Sequence, residues 1–355
     1  MAWNNKPRLY GIKNSNRDYS NPDTWGKNQF NSSFPVALAC YLHDKGMKAV
    51  YLKADRKLKP CTDHIGIGEL FKLDPLGNDI FFSFESQYMP FQKFVIGSIP
   101  RNDVVIQNLV DNSCVCSLEI KLTALPDNST AMLSDNKFGA EIVIRPDTII
   151  YLACSIIESF SNSRDGLSKF LGVAENEIDD WTEAKYVIPH VEKIRECIAN
   201  IVDEKNDTQK PIVMEPVWKT NGKSPQLADN CLDVFVWSNF ALLNLFLPEK
   251  GKVVRTITRH TRSMIWLYKM LLDYCNNGQF NGEAIIDELS YNTKNDKAFS
   301  TNGSRTHALM DCDELHSPRI LKAEIKNIIL GGGQLLLSPE RRFDAIIYNS
   351  PDLFK

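Results

Sequence analysis

Two β-prone runs, DVVIQ at residues 103–107 and CVCSLEIKL at 114–122, are separated only by the turn-like NLVDNS. Runs this close, with Asn, Asp and Ser between them, close into an antiparallel hairpin, because a parallel neighbour needs a crossover of a dozen residues or more. That hairpin constrains the rest of the reading. Side chains alternate along a strand, so Glu119 and Lys121 share one face, and Asp103 heads the partner strand. Cys114 and Cys116 likewise share a face, where small thiols are ordinary packing residues.

Around the hairpin the chain alternates between helical and strand patterns. Apolar residues 36–42, with Pro35 ahead and Gly46 behind, predict a helix over 33–44 with Pro35 in its first turn, then a strand over 47–52. Residues 65–99 mix short apolar runs with Gly, Pro and Asn, which predicts strands joined by turns. A strand is expected at 141–144 and a helix at 148–160 after Pro146. Spacings of three and four over 187–202 predict a helix, and further helices are expected at 261–274 and 319–330. Residues 1–30 read as an irregular arm and 291–306 as a polar loop. The fold class expected is α/β: a central mixed β-sheet flanked by helices. The organisation expected is a catalytic core over 1–160, a helical insertion over 161–210, and a recognition and dimerisation region over 211–355.

Composition excludes several classes. With 41 Lys+Arg against 44 Asp+Glu the net charge is −3, so the whole surface is not built to bind a polyanion, although a local basic cleft is compatible. The 43% hydrophobic fraction suits a globular core. Residues 231–247, the most apolar stretch, carry Asp233, Ser238, Asn239 and Asn244, which disfavours a membrane span. Nine cysteines without a CxxC pair argue for reduced thiols and a cytoplasmic protein rather than a zinc site or disulfide scaffold. The six histidines show no metal-ligand spacing, no Ser-His-Asp arrangement is indicated, and Gly331-Gly332-Gly333 follows a predicted helix as a cap.

Chemistry concentrates on the hairpin. Hydrolysis of a phosphodiester with a divalent ion needs carboxylates converging on hard-ligand magnesium, and a lysine beside them to polarise water or steady the phosphate. Asp103, Glu119 and Lys121 supply that set. An E-x-K alone carries little weight: the second copy, Glu324 to Lys326, lies in a helical pattern in which the two side chains diverge. An exposed charged pair on an edge strand is the plainer alternative for the first copy.

The string SLEIKLTALPD at 117–127, with NDVVI at 102–106 before it, resembles the catalytic core of PD-(D/E)xK nucleases, and LEIKLTALPD resembles type II restriction endonucleases of the HindVP/HgiDI kind. The resemblance implies Mg2+-dependent cleavage of double-stranded DNA by a homodimer at a short palindrome of the GRCGYC type. Asp103 and Glu119 would hold the metal and Lys121 would orient the water. The superfamily pattern has Pro where this chain has Asn102, which leaves Asp111 as an alternative to Asp103. Glu69 and Glu85 are candidates for an additional acid. The Pro-Asp pairs, including Pro146-Asp147, have no E-x-K suitably downstream and read as turns or helix starts.

Recognition needs cations for phosphates and forked or amide side chains for base edges. Residues 252–269 carry Arg255, Arg259 and Arg262 and no acid, and are expected to pack Trp266 inward while the arginines face a duplex. Asn302 and Arg305 in the polar loop, and more weakly Arg341 and Arg342, are the other candidates. The competing readings are a nuclease of the same core with a repair or RNA-processing role, and a non-catalytic binding module.

Overall fold

An antiparallel ladder of five strands runs through the computed structural model. It describes residues 9–18, 27–54, 60–121, 141–205, 212–213, 218–221, 224–227, 235–237, 242–243, 255–291 and 299–302. In chain order the elements are α1 (Lys27–Asp44), β1 (Ala49–Ala54), β2 (Pro60–Ile65), α2 (Ile67–Phe71), β3 (Ile80–Ser86), β4 (Asn102–Asn108), β5 (Cys114–Lys121), β6 (Glu141–Ile144), α3 (Pro146–Ser159), α4 (Arg164–Ser168), α5 (Ala184–Val187) and α6 (Val191–Lys205). There follow β7 (Ile212–Val213), β8 (Trp218–Asn221), β9 (Ser224–Leu227), β10 (Phe235–Trp237), α7 (Arg259–Asn277), α8 (Gly282–Glu288) and β11 (Phe299–Asn302).

The sheet order is β3-β4-β5-β10-β7. The predicted hairpin is its centre, with Val104 opposite Leu118 and Ile106 opposite Cys116. The strand directions differ from the mixed sheet expected. Every described ladder is antiparallel: the short turn between β4 and β5 leaves no room for a crossover, and β3 and β10 pair with that hairpin in the same sense. Parallel geometry occurs among the described residues only in the isolated bridges Ser15 to Phe82 and Val95 to Phe280.

Each face of the sheet has its own core. Phe82, Phe84, Val104, Ile106, Leu118 and Ile120 point to one side and pack against α1 and α2. Phe82 is fully buried, worth about 2 kcal/mol. Val105 points to the other side, into the larger core of α3, α6 and α7. Residues of β4 and β5 that alternate with the first set therefore face α3, and Asp103 and Glu119 are among them.

Residues 9–18 are irregular, as the sequence suggests, but they cover the β3 edge. The Phe82 N–H donates to the Asn14 carbonyl at 3.0 Å, and the Asn16 amide brackets Phe84, donating to its carbonyl at 2.9 Å and accepting from its N–H at 2.8 Å. Gly11 sits at φ 69°, and a Cβ there would lie 2.3 Å from the Cys40 Cβ, so only glycine lets the arm approach α1.

Helix boundaries depart from expectation at prolines. α1 begins at Lys27 and contains Pro35 in its interior rather than in its first turn. The helix expected over 187–202 is interrupted at Pro189, which lies in a 3₁₀ turn, and α6 starts afresh at Val191. α7 is longer than expected, capped by the Thr258 hydroxyl, which accepts from the Thr261 N–H, and closed by Gly278 at φ 81°. Within the loop expected over 291–306, β11 pairs with β6, Phe299 opposite Ile144 and Asn302 opposite Glu141. Strand pairing also joins β10 to β5 across position 210. The helix expected at 319–330 lies outside the described residues. Among the described residues no helix is long and apolar enough to cross a membrane.

Candidate active site

Three elements converge at one end of the sheet: the start of β4, the end of β5 and the first turn of α3. β4 and β5 are paired up to Val104 and Leu118. One step beyond, the Asp103 carboxylate replaces a ladder carbonyl, its Oδ2 accepting from the Ile120 N–H at 2.7 Å. A carboxylate accepting a backbone N–H across strands is held firmly, at about 1.5–3 kcal/mol for a hydrogen bond to a charged group. Asp103 thus reaches the backbone between Glu119 and Lys121. Asn102, the first residue of β4, is buried, and its Oδ1 accepts from the Asp103 N–H at 2.9 Å.

Glu119 is addressed from the other side. Thr148, in the first turn of α3, donates from Oγ1 to Glu119 Oε1 at 3.1 Å. Beside it, the Asp147 carboxyl is raised above the usual aspartate value, by desolvation first and by the Glu119 charge second, with Arg145 opposing. Asp147 thus feels the Glu119 charge from the start of α3. α3 is located by Tyr151, whose hydroxyl donates to the Pro100 carbonyl and accepts from the Tyr88 N–H, each at 2.9 Å. That pair of bonds ties the helix to the segment entering β4.

Lys121 closes β5, with its backbone opposite Phe235 of β10. The alternative acids are placed elsewhere. Asp111 lies in the hairpin turn, at the opposite end of β4 and β5 from Glu119, where its carboxylate accepts from the Ser113 N–H and hydroxyl. Glu85, at φ 48° in β3, is paired with Arg17 at 2.9 Å, and Glu69 is exposed on α2. Sequence reasoning missed Asp147 and Thr148 as neighbours of Glu119. Pro146-Asp147 is a helix start, as read, and the signal it lacked was that this helix start lands on β5.

The donor set suits a hard cation. Asp103 and Glu119 offer carboxylate oxygens on adjacent strands. Among the described residues no three His, Cys, Asp or Glu side chains form a ready-made cage. Magnesium does not require one, since it commonly takes one or two carboxylates and completes its shell with water and phosphate oxygens.

The candidate recognition residues are dispersed. Arg255 and Arg259 are exposed ahead of and at the start of α7. Arg262 breaks the expected outward row: it is 1% exposed, stacks 4.4 Å over the Trp266 ring and donates to the Ser290 carbonyl. Asn302 ends β11, on the strand paired with the one that leads into α3. Arg305, Arg341 and Arg342 lie outside the described residues.

Comparison with known proteins supplies the decisive observation. Residues 25–354 match the family described as HindVP restriction endonuclease. The chain belongs to that family. It is accordingly an enzyme of the restriction endonuclease class. Among its relatives, Type II restriction enzyme HgiDI of Herpetosiphon aurantiacus is 44% identical over 352 residues, covering 99% of this chain and 98% of the relative. Probable type II restriction enzyme HindVP of Haemophilus influenzae is 47% identical over 356 aligned residues, covering 99% of this chain and 96% of the relative. No solved structure matches the chain.

Proposed function

We propose that this member of the HindVP family is a type II restriction endonuclease that hydrolyses double-stranded DNA with Mg2+ at a short palindrome of the GRCGYC type, acting as a homodimer. The observation that carries the assignment of the site is the bond from the Ile120 N–H to Asp103, which brings the carboxylate of β4 to the E-x-K of β5. Asp103 and Glu119 would hold the metal. When bound, magnesium supplies a Lewis acid for the phosphate and lowers the pKa of water. Asp103 contributes a carboxylate whose direction is fixed by the backbone it bonds. Lys121 is assigned the orientation of the attacking water and the steadying of the phosphate. Arg255 and Arg259 are assigned to phosphates, Asn302 and Arg305 to base edges, and Arg262 braces the start of α7 behind them. In this division of labour, 1–160 carry the chemistry, 161–210 buttress it, and 211–355 supply recognition and subunit contacts. A palindromic target favours a two-fold assembly.

The test is incubation of the purified chain with long unmethylated duplex and magnesium, beside Glu119→Ala, Lys121→Ala and an EDTA control. Discrete fragments from the wild type alone are expected. Smeared, sequence-independent degradation would point to a nuclease of another role, and cleavage that survives both substitutions would move the active site elsewhere.

A further inference from the structure

We propose that Thr148 is a positioning residue for DNA cleavage, its hydroxyl holding the Glu119 carboxylate in the orientation that receives the divalent ion. This rests on the reading of Glu119 as a metal-holding residue. Thr148 is 2% exposed, and its Oγ1 lies 3.1 Å from Glu119 Oε1. A β-branched side chain has few χ1 choices, so burial fixes where the hydroxyl points. Glutamate is the opposite case, a long side chain that loses several rotors when ordered. Electrostatics would also spread this site, because the Asp147 carboxyl next to Thr148 shares the sign of Glu119 and feels its charge. The Thr148 bond opposes that repulsion and crosses from α3 to β5, so the ordering cost is met on folding rather than when the metal binds. The bond occupies one acceptor position of Oε1, and a carboxylate has several, so holding it from behind is compatible with a cation in front. Groups that orient a metal-binding side chain in this way commonly change affinity or activity by about 10–100-fold when removed.

Mn2+ binding to the full-length chain, followed by calorimetry without DNA, reads this directly, with thermal unfolding as a check on folding. Thr148→Val keeps the shape and removes the hydroxyl, Thr148→Ser keeps the hydroxyl, and Thr148→Ala supplies a second hydroxyl-free variant should valine disturb the core. The expected result is an Mn2+ affinity about 10–100-fold weaker for the valine and alanine variants and close to wild type for serine. The metal concentration for half-maximal cleavage should move in step. Wild-type affinity in the valine or alanine variant, or a serine variant as weak as valine, would overturn the proposal. Glu119→Ala separates the two claims: if it abolishes binding while Thr148→Val does not, only the role of Thr148 falls. If Glu119→Ala binds Mn2+ normally, the reading of Glu119 falls and this role with it.

Discussion

Tyr151 makes two hydrogen bonds through one oxygen, and neither partner is near it in sequence. Its hydroxyl donates to Pro100 and accepts from Tyr88, 51 and 63 residues away. The bond from Tyr88 is buried and that to Pro100 is half-buried, so removing the oxygen leaves the Tyr88 N–H without water to replace it. Tyr151→Phe is therefore expected to destabilise the fold by about 1–3 kcal/mol, chiefly from that one buried group left unsatisfied. It should also lower cleavage, because Pro100 leads into Asp103 and Tyr151 lies one helical turn beyond Asp147. Urea unfolding gives the first effect. Cleavage rates at temperatures where both proteins are folded give the second. The hairpin that sets Asp103 beside the end of β5 was legible in the sequence because strand alternation and a short turn are local rules. Thr148, Asp147 and Tyr151 were not, since what they meet on β5 and in the 88–100 segment depends on where α3 packs against the sheet.

Helix α7 shows why a sequence pattern can name an element and mistake its faces. A basic stretch with Trp266, Leu267 and Met270 suggests an apolar side packed inward and arginines outward. Instead, residues 261–268 are buried without interruption, as in a helix enclosed by α3, α4, α6 and α8. Within this stretch no face is left for solvent, and Arg262 is drawn in over Trp266. Charge inside this packing must be matched. Lys269, 16% exposed in its side chain, bonds Glu175 at 2.8 Å and Asp273 at 2.5 Å, beside the Trp181 ring. Burial alone would pull its pKa down, but the bonds and charges of Asp273 and Glu175 together outweigh burial, and the net shift is upward. A raised lysine holds its proton more tightly folded than unfolded. Its stabilisation is complete below the ordinary lysine value and is lost as pH rises through the folded value. Lys269→Met should cost about 2 kcal/mol near neutrality, discounted for partial exposure, and the gap to wild type should narrow as pH rises above the ordinary lysine range. Urea unfolding of both proteins near neutrality and in that alkaline range checks the sign. The polar segment around Asn302 shows the complementary error. FSTN reads as an ordinary loop, yet β6 offers a partner edge that no local rule reveals.

At the scale of the whole molecule, the proposed chemistry has a consequence that a single chain cannot show. In that proposal one chain carries one Asp103, Glu119 and Lys121 set, which would hydrolyse one phosphodiester. Cutting both strands of a palindrome in one binding event would then take two copies related by the same two-fold as the target. Equal mixtures of wild type and Glu119→Ala, refolded or co-expressed so that subunits exchange, would contain half mixed dimers if assembly is random. A mixed dimer can bind both half-sites but cleave only one strand. On supercoiled plasmid bearing a single site, such a mixture should accumulate nicked circles that neither parent accumulates: wild type passes on to linear product, and the Glu119→Ala homodimer leaves the plasmid intact. A mixture giving only the sum of its parents would mean that each chain acts alone or that one site cuts both strands. Binding should be strongly salt-dependent in wild type and variant alike, because phosphate neutralisation by residues such as Arg255 and Arg259 releases counterions whether or not Glu119 is present. Substituting those arginines should lower that salt slope by about one for each phosphate no longer neutralised, while leaving the preferred site unchanged.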